Sequence, residues 1–563
     1  MNRTSLVEKT KAMNLNYKMI ELKIAAHTTI AVLLCSMMPG NALAQDDGQL
    51  PSDEIEVIKN FEARLAVSDK LGLSPQLPAA KGDYTEILDY SIYPQSIQVD
   101  YNPPKIRPLA MRRDRPGPSY KGYIEGGYGT PNAPYAFGAY EHSTEDWGLG
   151  IGINHYSADN KDANHLTISQ TKGNIRGNYL LDKQVNIFGG FDYGRHKRYY
   201  NLDYLDSLAL PDSTESRLIN HWSAHAGLEN LEDTELGIDY KAELYFERAG
   251  DELNTLQNLF RSDFSLTKYI NDENPVGLDF GNYLSTYKSV ELLNQDMSAF
   301  YASPYFKFGF DKFRIKLGLD FWTEDGKGNV YPDIDLMVNL KDNQWVVFAE
   351  TEGRFNPSDF ISNIERNPFL SPDFEVNFQK TFDVFGGLRG KIRGLGFTLK
   401  GGWQSIENLA LHVNDPSDRN KFLISYDTAT VTYISGEFNY QWRQEAQVFT
   451  KISQKFFNLE NADEAFHTPA FRWDLGARYW TLEQRLLLGL NVFVENGLFY
   501  LDENQETQQL NALFDVSFDV RYLFTDQFGA FLKLNNIANN EREWLRHYST
   551  FGFNVLGGLY LRF

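Results

Sequence analysis

The sequence predicts an all-β fold: a transmembrane antiparallel outer-membrane β-barrel of about 22 strands behind a short N-terminal periplasmic segment. Three observations carry this. At the end of the chain, Phe551, Phe553, Val555, Leu559, Leu561 and Phe563 hold odd positions while Asn554 and Arg562 hold even ones. Period 2 sends these sets to opposite faces of a strand, one suited to lipid and one to a wet lumen. The same alternation recurs upstream, and the connections between alternating stretches are short on one side and long on the other.

The first element is an apolar run from Ile24 to Met38 that follows Lys18 and Lys23 and leads into Ala42-Leu43-Ala44. This is the form of a secretory signal peptide over residues 1–44, cleaved after Ala44, with Met13 and Met19 as alternative starts. Cys35, the only cysteine, lies inside it, so the mature chain offers no disulfide, thiolate nucleophile or cysteine metal site. No later stretch approaches the ~18 consecutive apolar residues of a transmembrane helix.

Residues 45–117 form the second element. Nine of the 21 prolines fall between Pro51 and Pro118, and proline interrupts strand ladders, so the stretch is not barrel wall. It reads as a separate proline-rich periplasmic segment, either a partial plug or a docking arm. Lys105, Arg107, Arg112, Arg113 and Arg115 crowd just before the first strand. They are expected to grip periplasmic headgroups or an acidic partner, or to thread into an acidic lumen.

The barrel occupies residues 118–563. Leu236, Ile238, Tyr240, Ala242, Leu244 and Phe246 interleave with Gly237, Asp239, Lys241, Glu243, Tyr245 and Glu247. Phe313 to Phe321 alternate with Arg314, Lys316, Gly318 and Asp320, and Phe514 to Tyr522 with Asp515, Ser517, Asp519 and Arg521. Charges this regular on one face are costly to bury in a dry core but are at ease in a hydrated lumen. Ten short turns are expected, near residues 143–145, 181–183, 232–235, 271–274, 311, 341–343, 393–394, 443–445, 482–484 and 525–527. With both barrel ends periplasmic, ten turns give roughly 22 strands. The aromatic pairs Tyr199-Tyr200, Phe456-Phe457, Tyr479-Trp480 and Phe499-Tyr500 suit interfacial girdles, with sugar stacking as their alternative use.

The net charge of −21 opposes nucleic acid as a partner. It reflects an acidic lumen or acidic loops, with selection of cationic solutes as the sharper reading. Phosphate loops, nucleophile elbows and zinc-binding helices are not found. His142-Ser143 is placed in a turn, and His155, His165, His221, His225, His412, His467 and His547 near strand ends or loops. Asp203 with Asp206, and Asp415 with Asp418, are outer-loop acids for which solvated charge and Ca²⁺ binding are the two readings. No catalytic, cofactor or metal residue is assigned.

Several stretches also resemble one family. Asn367-Pro368-Phe369-Leu370-Ser371-Pro372-Asp373, with a strand from Phe374, looks like the lead-in to the second half of the barrel of TonB-dependent outer-membrane receptors. Residues 468–475 and 531–537 look like that family's late strands. The resemblance covers about 200 C-terminal residues and fits the same ~22 strands. It implies solute uptake across the outer membrane, assembly by the barrel-assembly machinery in outer-membrane lipid, and contact with TonB or another periplasmic protein. Leu559, Leu561 and Phe563 would then carry the assembly signal. Asp53-Glu54-Ile55-Glu56-Val57-Ile58 looks like a TonB box, which pairs with a partner's strand edge by β-augmentation. An ordinary periplasmic strand is the plainer reading. The complete plug of that family does not fit within 45–117, so something else should occupy the lumen: inward-folded loops, the 45–117 segment or another chain. The alternative function is a structural or assembly subunit of an outer-membrane complex that docks a periplasmic partner.

Overall fold

The computed structural model describes residues 120–563, except 161–165, 202–215, 233, 271–273, 291–293, 325 and 341–343. The signal peptide and the 45–117 segment lie outside the described residues.

Twenty-two antiparallel strands form one sheet. It closes because the first strand, Gly122–Gly129, pairs on one side with Ala133–Ser143 and on the other with the last, Asn554–Arg562. Tyr123 stands opposite Arg562 and Gly129 opposite Leu556. Closure leaves no edge of unpaired N–H and C=O groups, which lipid would not tolerate. The seam extends to the carboxyl terminus, where Phe563 C=O accepts the N–H groups of Lys121 and Gly122 at 2.8 Å.

All ten expected short connections fall between consecutive barrel strands. Arg393 and Gly394 both have positive φ, 46° and 87°. That is the pattern of a two-residue type I′ hairpin, whose twist matches its strands.

The faces divide as the alternation requires. Phe313, Leu317, Leu319 and Phe321 are 41–47% exposed on the outer wall. Lys316, between them, turns inward to pair with Asp333 at 2.5 Å. Inside the first strand, Glu125 is 2% exposed and accepts from Arg521 at 2.8 Å, tying the seam to strand Leu513–Leu523. An apolar belt around a charge-paired lumen places this barrel in the outer membrane.

Several expectations shift. The closing strand begins at Asn554, so Phe551 and Phe553 precede it. His142 and Ser143 end a strand, and the turn is 144–146. His221 and His225 sit mid-strand in Ser216–Asn230, because the flanking polar residues there face the lumen and are not loop. The strand after the 367–373 motif begins at Asn377, not Phe374. The reason is that Phe374, 5% exposed, is drawn into an apolar cluster at the barrel mouth. Tyr200, Phe499 and Tyr500 also pack at that mouth and are not girdle residues. Tyr479 and Phe456 do face outward, 42% and 58% exposed.

Candidate functional site: a loop folded into the barrel mouth

The connection 359–376, between strands Trp345–Ser358 and Asn377–Ile392, turns inward rather than out to solvent. It begins with the helix Phe360–Arg366. Asp359 caps it reciprocally: Ser362 N–H donates to its carboxylate at 2.9 Å, and its own N–H donates to Ser362 Oγ at 3.0 Å. Asn367 ends the helix in extended backbone, as the residue before Pro368 must. Phe360, Phe369 and Leu370 are 0–2% exposed. Such residues bury on the inner wall because the lumen gives them an apolar patch to meet: Ile219, Ala249, Leu259, Met297 and Phe378.

Polar clamps from the wall fix this loop. Gln257, fully buried, donates through its amide to Asp359 and to Ser285 Oγ, and accepts Ile361 N–H at 3.0 Å. The Tyr283 hydroxyl also donates to Asp359, and the Tyr287 hydroxyl donates to Pro372 O. Arg217, 1% exposed, pairs with Asp251 at 2.5 and 2.8 Å and donates to the carbonyls of Pro368 and Leu370. Farther along, Ser289 Oγ donates to Asp373 at 2.6 Å, while Gln295 donates to Phe374 O and accepts from Val376 N. The loop leaves from the thirteenth strand yet is gripped by the sixth, Ser216–Asn230. It therefore reaches across the mouth.

A second layer joins it. The hairpin Glu543–Leu545 with Tyr548–Ser549 places Tyr548 on Phe369, and Tyr548 OH donates to Asn420 O at 2.7 Å. Asn201 donates to His547 O at 2.8 Å. In the loop after strand Ala446–Leu459, His467 Nδ1 meets His412 O at 2.7 Å, and its Nε2 accepts Arg546 N–H at 3.3 Å. A ring that donates at Nδ1 and accepts at Nε2 is the neutral tautomer. Burial accordingly lowers the pKa of His467 to about 4, and burial with nearby Arg546 and Arg419 lowers that of His547 to about 4.

Sequence reasoning missed Arg217, Asp251, Gln257, Tyr283 and Tyr287. Each reads as an ordinary lumen-facing residue, and only their shared position above the midwall was a signal. The 367–373 motif was noticed, but its inward path was not. Leu559, Leu561 and Phe563 face outward at 41–53% exposure beside the seam. Asp53 to Ile58, Lys105, Arg107, Arg112, Arg113 and Arg115 lie outside the described residues. Asp415 accepts from Ser417 within its own turn, and Asp418 pairs with Lys421 at 3.0 Å. His221 Nε2 lies 3.6 Å from Glu247, while His225 stacks on Tyr245.

No family model and no curated protein matches the sequence. Solved structures do match. The FrpB iron transporter from Neisseria meningitidis aligns with TM-score 0.61 at 9% identity, over 79% of this chain and 82% of that one. The pyoverdine outer membrane receptor FpvA from Pseudomonas aeruginosa PAO1 aligns with TM-score 0.61 at 13% identity, over 80% of each. The ferric-catecholate import receptor Fiu from E. coli K12 gives 0.61 at 10%, over 79% and 82%. At these identities the shared property is the fold, and the chain has the 22-stranded barrel fold of TonB-dependent receptors.

Proposed function

We propose that the protein is an outer-membrane uptake receptor whose outer mouth is gated by its own loop 359–376. The observation that carries this is the clamping of a buried helix and its following segment inside the mouth by Gln257 and by the Arg217–Asp251 pair. A structural scaffold has no need of a loop that fills its own lumen, whereas an uptake receptor must stop leakage between transport events. The proteins of like fold include an iron transporter and two receptors for iron chelates or pyoverdine, which supports solute import as the class of activity.

In this reading, Asp53 to Ile58 serve as the TonB-box segment, pairing with an edge strand of the energy transducer. The cluster Lys105, Arg107, Arg112, Arg113 and Arg115 contacts a periplasmic partner or the lumen. The outward row Leu559, Leu561 and Phe563 is read by the assembly machinery.

Spent-medium profiling tests the reading. Cells lacking the protein should leave at least one solute in a defined medium that complemented cells deplete. Complementation with Ile55, Val57 and Ile58 all replaced by Pro should fail to deplete it, since proline cannot supply the N–H groups of an added strand. If the two strains, with equal barrel levels, deplete every solute alike, the uptake reading is wrong.

A further inference from the structure

Against the lumen helix lies a cavity of about 360 Å³ whose polar wall residues, Gln170, Lys172, His196, Arg198 and His221, are not among the loop's polar clamps. Its wall is built by the inward faces of strands Ile168–Leu181, Val185–Tyr199 and Ser216–Asn230. The register sets the lining. His196 stands opposite Gln170 on one side and Ile219 on the other, and Gly194 stands between Lys172 and His221. A Cβ at Gly194 would come within 3.2 Å of His196 Nε2, so glycine keeps the floor between Lys172 and His221 clear. Arg198, next along the same face, completes the group.

Several inward cations elsewhere have their carboxylates: Arg217 with Asp251, Lys241 with Glu243, Arg261 with Asp263, Lys316 with Asp333. Lys172 and Arg198 have no ion-pair partner among the described residues. One acid, Glu365 of the helix, shares the lining, and Glu247 stands 3.6 Å behind His221 Nε2. In a chain of net charge −21, two cations that face one cavity with no ion pair among the described residues, beside two imidazoles and an amide, form a site suited to an anion.

The geometry points to a binding site for a small, multiply charged oxyanion, bearing carboxylate or phosphate groups, held by Arg198 and Lys172. His196, His221 and Gln170 supply further hydrogen-bonding groups around it. Arg198 suits such a ligand because its planar fork matches both oxyanions, and ~360 Å³ is at the small end of ligand pockets. Helix residues Ile361, Ile364 and Glu365 cover the site, so access depends on the same loop. The site thus deepens the uptake reading by naming a solute class, and rests on it only for the claim that the anion is cargo. The cationic selection that net charge suggested does not describe this cavity.

Calorimetry on the full chain in detergent tests the site, with citrate, inorganic phosphate and, as a neutral control, glucose. At least one anion should bind at one per barrel and glucose should not. Binding of citrate alone identifies a carboxylate ligand, and of phosphate alone a phosphate ligand. Arg198→Gln and Lys172→Gln should each weaken binding by about tenfold, the scale of one charged hydrogen bond. Arg198→Lys should recover part, and heat-modifiable migration would verify folding of each variant. Arg195→Gln, on the exposed outer face of the same strand, should leave the affinity within about twofold, because successive strand residues point to opposite faces and its side chain lies across the wall from the cavity. Failure of both anions to bind, or an equal loss from Arg195→Gln, would overturn the site. Anion binding combined with unchanged solute depletion in the spent-medium experiment would keep the site and discard the uptake reading.

Discussion

Phe369 and Tyr548 stack face to face, with ring centroids 3.5 Å apart and planes 10° from parallel. The first belongs to the lumen loop and the second to a hairpin near the carboxyl terminus, so the contact locks two layers of the mouth together. Aromatic pairs contribute about 0.5–1.5 kcal/mol beyond their buried area. A double-mutant cycle with Phe369→Leu and Tyr548→Leu, read as the opening free energy of 359–376 by hydrogen exchange, should give a coupling of that size. A coupling near zero would show that the layers act independently.

The Arg217–Asp251 pair should matter more. Both side chains are 0–1% exposed, and removing one partner of such a pair typically costs about 3–5 kcal/mol because the other charge is left buried. Asp251→Ala should open the loop to limited proteolysis while the barrel still migrates as a folded species. Arg217→Met with Asp251→Leu should restore much of the protection. Equal cleavage of the wild type and Asp251→Ala would place the holding energy elsewhere.

Acid should loosen the outer layer. His467 and His547 titrate near 6.5 when unfolded and at about 4 in place. The open form therefore binds more protons between these values, and the closed form loses stability as pH falls from about 6.5 toward 4. Above 6.5 the contribution is complete. Protection against hydrogen exchange in 460–470 and 543–549, taken relative to the intrinsic rate at each pH, should fall between pH 7 and pH 4.5. His467→Asn, which keeps a donor toward His412 O but has no imidazole to charge, should reduce that dependence. A flat profile in the wild type would contradict the assignment.

Much of the barrel was legible because period 2 is enforced twice, by lipid outside and water inside. Phe313 to Phe321 and Phe514 to Tyr522 could not satisfy both sides in any other register. The turns were legible from Gly, Asn, Asp and charged residues between those runs. The mouth was not. Asp359-x-x-Ser362 is a visible capping box, and Pro368 a visible stop, but nothing local says that a seven-residue helix folds inward. That depends on Arg217, Gln257 and Tyr287, which are distant in sequence and outwardly ordinary. His467 could be placed only near a strand end or loop for the same reason: its partners His412 and Arg546 come from two other segments.

Phe563 closes the seam through its backbone while its ring stays 48% exposed. Phe563→Asp keeps the backbone bonds and costs the folded barrel only about 0–1 kcal/mol at the interface. A fall in outer-membrane level, measured by quantitative blotting, is therefore expected to reflect lost recognition during assembly. Normal levels of Phe563→Asp would remove Leu559, Leu561 and Phe563 as an assembly signal.

The central claim is that the barrel's own loop obstructs its mouth, and single-channel conductance in planar bilayers tests it most directly. The wild type and a variant with 360–374 replaced by a short Gly-Ser linker would be compared at matched insertion. The obstructed mouth predicts low conductance for the wild type and a several-fold rise for the variant, with Arg217→Met falling between them. Equal conductance for all three would contradict the account.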